Sequence, residues 1–134
     1  MPSIDAIEGI GHRYATKLRK ARIRTTEALL KSAGTRPGRG ELAGATGIDE
    51  KLILAWVNRA DLMRVKGVGE EYSDLLEAAG VDTVKELRRR NAANLLAAMV
   101  EVNDKKRLVR RLPTLGMVER WVEHSKTLEP IIRH

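Results

Sequence analysis

The stretch IEGIGHRYATKL (Ile7–Leu18) returns fifty-eight positions later as VKGVGEEYSDLL (Val65–Leu76). Each copy runs apolar, any residue, Gly, apolar, Gly, and then enters a run with helical spacing. Laid over one another without a gap, Ile7–Leu30 and Val65–Arg88 share Gly9/Gly67, Gly11/Gly69, Tyr14/Tyr72, Leu18/Leu76, Ala21/Ala79, Thr25/Thr83 and Leu29/Leu87. Ile faces Val at three further places, 7/65, 10/68 and 23/81. The matches fall on turn and apolar positions, the mark of an internal repeat. Charge is not repeated: His12-Arg13 follows the first pair of glycines and Glu70-Glu71 the second.

A second correspondence lies further along. Leu54–Val65 (LAWVNRADLMRV) is similar to Val118–Glu129 (VERWVEHSKTLE), with Trp56-Val57 over Trp121-Val122. The offset there is larger, so the second copy carries about seven extra residues, assigned to Val102–Pro113. The Trp56 segment runs directly into the second glycine pair, whereas the Trp121 segment runs only to the C-terminus. On this reading the first hairpin lacks a lead helix and the last helix lacks a hairpin; a protein-interaction or self-assembly alternative has residues 114–127 docking beside the first hairpin, in cis or in a neighbouring chain. Two repeats are expected, at 1–64 and 65–134, sharing a core.

Composition agrees with helices. Among 134 residues Phe is absent and aromatics are 3%, so aliphatic side chains must fill the core. Helices are expected near 12–21, 26–33, 39–45, 50–62, 70–79, 84–90, 92–102 and 114–127. Asp49, Thr83 (with Glu86) and Asn91 read as N-caps. GTRPGRG (Gly34–Gly40) reads as a loop, and Pro113 as a break before the last helix. No segment shows sustained strand alternation, so the expected fold is all-α, two repeats packed as one compact helical unit. There is no Cys, which excludes thiolate metal sites and Cys nucleophiles. No run approaches a membrane span and no signal pattern opens the chain, so the expected location is cytoplasmic.

The formal charge of +7 is unevenly spread. Residues 1–48 carry nine Lys/Arg against four Asp/Glu, residues 49–84 four against eight, and residues 85–134 twelve against six. Basic segments flank an acidic middle, which suits a polyanionic partner such as nucleic acid.

Two glycines around one apolar residue at the start of a helix leave backbone N–H groups and a positive helix end facing outward, ready for an anion. Ile7, Ile10, Val65 and Val68 would anchor the turns. The apolar-x-Gly-apolar-Gly pattern resembles the helix-hairpin-helix family, with Ala15 or Ser73 and then Leu18 or Leu76 at matching places. The paired arrangement resembles an uncharacterised bacterial family of tandem helix-hairpin-helix units. More distantly, Ile7–Leu30 is similar to the C-terminal domain of the RNA polymerase alpha subunit. The resemblance implies sequence-tolerant contact with DNA backbone phosphates. Carried over, it assigns the grip to the amides around Gly9, Ile10 and Gly11, with His12, Arg13 and Lys17 adding charge. In the second copy it reaches Lys66, Gly67 and Gly69.

The bland alternative is that the glycines only close a helix–helix turn. It is preferred for the second copy, where Glu70, Glu71, Asp74 and Glu77 already satisfy the helix dipole and would repel phosphate. Glu70, Asp74 and Glu77 share a face, but a solvated face is preferred to a metal site. Further candidate phosphate contacts are Arg36 and Arg39 in the expected loop, and Lys105, Lys106 and Arg110 in the cluster beyond residue 102. Arg88-Arg89-Arg90 complements a helix end equally well. Trp56 and Trp121 read as core residues before base-stacking ones. His12, His124 and His134 lie in no nuclease, Walker or zinc motif, so no catalytic residue, metal or cofactor is expected and the chain reads as non-enzymatic. The expected function is a DNA-binding module; the alternative is a protein-interaction or self-assembly module.

Overall fold

The structure, a computed structural model, describes residues 2–7 and 9–133. His134 therefore lies outside the described residues. A 3-10 turn, Ile4–Ala6, precedes eight helices: α1 (Gly11–Lys20), α2 (Thr26–Ala33), α3 (Arg36–Thr46), α4 (Glu50–Leu62), α5 (Glu70–Ala78), α6 (Val84–Leu87), α7 (Ala92–Lys106) and α8 (Leu115–Thr127). Extended pairing among the described residues is limited to one isolated bridge between Ser3 and Thr25. The protein is all-α.

The caps explain where the helices begin. The hydroxyls of Thr25, Thr83 and Thr114 and the carbonyl of Asn91 accept the backbone N–H groups of Ala28, Glu86, Met117 and Asn94. Asp49 likewise accepts from Lys51 at 2.8 Å. Each such bond satisfies a donor that the helix itself leaves orphaned.

GTRPGRG is not a loop. Thr35 accepts from Gly38 N at 3.2 Å and caps α3, which starts at Arg36. Pro37 stands in the first turn, where a missing N–H costs nothing and its fixed φ suits the helix. The glycine and proline signals are real, but capping and the burial of Arg39 and Leu42 outweigh them.

The chain divides into two compact units, residues 1–61 with 131–134, and residues 62–130. In the first, Ile4, Ile7, Ile10, Ala15, Leu18, Leu29, Ile53, Trp56 and Val57 are buried. The ring of Tyr14 meets Trp56 at 5.1 Å between centroids, tilted by 58°. The C-terminal residues return to this unit: Arg133 N–H donates to Gly34 O at 2.8 Å.

In the second unit Val65, Val68, Leu75, Leu76, Val81, Leu87, Leu95, Met99, Val118 and Trp121 belong to one core cluster. Tyr72 meets Trp121 at 5.1 Å and 52°. The extra segment after α7 is held by Asn103, whose side chain accepts from Val109 N at 3.0 Å and donates to Val109 O at 3.2 Å.

These packings correct the expected pairing of helices and hairpins. The Trp56 helix, α4, leads in sequence to the second glycine turn but sets its indole on the first. The last helix, α8, sets its indole on the second glycine turn, within its own unit. The physical cause is an indole for each turn: Trp56 covers Gly9 and Trp121 covers Gly67.

Candidate functional site

Both glycine turns carry Gly at φ +91° as their first glycine, Gly9 and Gly67, a conformation that L side chains rarely adopt. Ile10 N–H bonds to Ile7 O at 3.3 Å and Val68 N–H to Val65 O at 3.0 Å, closing the turns over buried anchors. The second glycines differ. Gly11 sits at φ +63°, whereas Gly69 is extended at φ −100° and caps α5.

In the first turn Gly9, Gly11, His12 and Arg13 are exposed, while Ile10 is buried and offers only its backbone. The first turn of α1 holds no carboxylate. A positive helix end with two basic side chains and free access to solvent attracts anions. Lys17 is not part of that end: it lies half-buried in the last turn of α1. Six residues at the helical rise put it about 9 Å along the axis from Gly11.

A residue that the sequence reading overlooked stands at this turn. The Arg59 guanidinium lies 3.5 Å from where a Cβ on Gly9 would be, beside the indole nitrogen of Trp56 at 4.0 Å. The available signal was spacing: Arg59 follows Trp56 by three residues, as His124 follows Trp121. His124 has a corresponding duty in the second unit, where its Nδ1 accepts the Lys66 backbone N–H at 3.0 Å. That hairpin amide is therefore already satisfied from within the chain.

Glu70 and Glu71 occupy the first turn of α5, as expected. Ser73 is buried and its hydroxyl donates to Glu70 O at 2.8 Å. Among the described residues no group of three or more His, Asp or Glu side chains is placed to hold a metal ion.

Arg39 is corrected outright. Only 4% of it is exposed. Its Nη1 donates to Ala33 O at 3.2 Å and Gly34 O at 3.1 Å, and its Nη2 to Arg133 O at 2.8 Å. Burial lowers its pKa from the ordinary arginine value, with Glu50 opposing and Arg36 reinforcing the shift. Arg39 ties the end of α2 to the C-terminal residues and presents nothing to a phosphate. Arg36, by contrast, is exposed in the first turn of α3.

In the second unit Lys66, Gly67 and Gly69 are exposed. Lys105 and Lys106 end α7 and Arg110 lies beyond it, all exposed. Lys105 faces Glu101 at 3.7 Å, both largely in solvent, a pairing worth little. Arg88 and Arg90 serve structure: Arg88 donates to Lys126 O, and Arg90 to Glu86 and to Gly80 O. Both tryptophans are 2% exposed, so neither offers a face for base stacking.

The fold and this surface define an all-α protein with a basic, glycine-turned helix end in its first unit. The chain belongs to the family described as "Domain of unknown function (DUF4332)", which matches residues 8–128. No solved structure matches it. Among the described residues no helix is long and apolar enough to cross a membrane.

Proposed function

We propose that the protein is a non-enzymatic, sequence-tolerant DNA-binding module built from two helix-hairpin-helix repeats. Its first hairpin grips backbone phosphate, and exposed basic residues of both units add charge. The observation that carries this reading is the first turn itself. Gly9 and Gly11 both hold positive φ, and His12 and Arg13 stand exposed on a first helical turn that holds no carboxylate. Such an end complements phosphate through backbone N–H groups and charge, and reads no base. The second hairpin is architectural at its α5 end, because Glu70 and Glu71 already satisfy that dipole. Arg36, Lys105, Lys106 and Arg110 are the supporting cations.

The test is binding to arbitrary duplex DNA across a salt series. Wild type should bind at low salt, with log Kd linear in log salt. Arg13→Gln should lower the magnitude of that slope by about one. Absence of binding at low salt, or an Arg13→Gln slope equal to wild type, would overturn the reading. Light scattering on the same samples tests the self-assembly alternative, which α8 no longer motivates now that it is engaged in its own unit.

A further inference from the structure

The second unit contains a cavity of about 520 Å³ between its glycine turn and α8, lined by Lys66, Gly67, Met117, Arg120, Trp121 and His124. No carboxylate is among the lining residues, although Glu70 and Glu71 follow the same turn in sequence. Among the described residues neither the Lys66 ammonium nor the Arg120 guanidinium has an ion-pair partner. Lys66 and Arg120 line the cavity with no counter-charge beside them, so an anion entering it is attracted to both.

A second feature points the same way. Trp121 is almost wholly buried as a residue, while its indole N–H, which makes no hydrogen bond among the described residues, keeps access to solvent. That nitrogen lies 3.1 Å from where a Cβ on Gly67 would be, at the wall of this cavity. His124 accepts the Lys66 amide at Nδ1, which leaves its ring proton on Nε2 as one more donor. The lining thus supplies cations and donors with no competing acceptor side chain.

We propose that this cavity binds a phosphate group, held by Lys66 and Arg120 and hydrogen-bonded by the Trp121 indole. The site is distinct from the helix end at Gly11 and does not depend on it. Its volume is in the range of small-ligand pockets. The phosphate is either a free or terminal monoester or a diester of a nucleic-acid backbone, and the chemistry of recognition is shared.

The experiment follows the two indole N–H signals of the full-length, nitrogen-15-labelled protein. Inorganic phosphate is titrated against sodium chloride at constant ionic strength. The Trp121 signal should move saturably. Lys66→Gln and Arg120→Gln, both at exposed positions and checked for fold by circular dichroism, should each weaken the response about tenfold. A Trp121 signal that never moves, or one that moves equally in the double variant, would overturn the proposal. Duplex DNA with and without 5′-phosphates separates the sources: a response to both assigns a backbone diester, and a response only to the phosphorylated duplex and inorganic phosphate assigns a monoester. Failure of the first-hairpin reading would appear instead in the Arg13→Gln salt slope.

Discussion

Replacing Arg39 by Met keeps the aliphatic stem and removes the guanidinium, so it separates a structural arginine from a DNA contact. Three donated bonds are lost. Gly34 O keeps a second donor, the Arg133 N–H, and Arg133 O is only part-buried and can recruit water. Ala33 O, at the end of α2 and with its Arg39 bond buried, is the acceptor left in difficulty. Orphaning one buried carbonyl costs about 1–3 kcal/mol, and each partly rehydrated bond rather less. Relief from desolvating a cation returns part of this. A net destabilisation of about 2–4 kcal/mol follows, which lowers the midpoint of thermal unfolding by roughly 10 °C. Thermal unfolding followed by circular dichroism measures it, with the exposed Arg36→Met as a control expected within about 0.5 kcal/mol of wild type. The salt slope of DNA binding, measured well below the transition, should be unchanged. An Arg39→Met protein as stable as wild type but with a shallower salt slope would refute this account of Arg39.

Other substitutions probe the turns. Arg22 ends α1 at φ +67°, where the second unit has Gly80 at φ +95°. Arg22→Gly should therefore stabilise by about 0.5–1 kcal/mol, and Gly80→Ala should destabilise by about 1 kcal/mol, as urea midpoints will reveal. Gly67→Val needs both a strained φ and displacement of Trp121, so it should cost about 2–3 kcal/mol and quench or shift the Trp121 signal. Asn103→Ala removes both bonds to Val109 and should cost about 1–2 kcal/mol, with faster hydrogen exchange confined to residues 103–112.

Much of the local architecture was legible from residue order. Asp49, Thr83 and Asn91 cap helices because a cap joins a side chain to an amide only two or three residues away. Ile7, Ile10, Val65 and Val68 are buried, as the apolar anchors of a tight turn must be. GTRPGRG failed because its breakers stand where a helix tolerates them, and what overrides them is a tertiary tie from Arg39 to residues near the C-terminus.

Amino-acid order alone determined an all-helical chain, the two glycine turns, their buried anchors and the opposite charges behind them. Those features depend on spacing within a turn or two of helix. Only the tertiary structure decided which helix covers which hairpin, that Arg39 is buried while Arg36 is not, and that His124 occupies the Lys66 amide. Each of these rests on groups 40 or more residues apart, whose meeting is set by how the apolar faces of whole helices pack and not by local pattern.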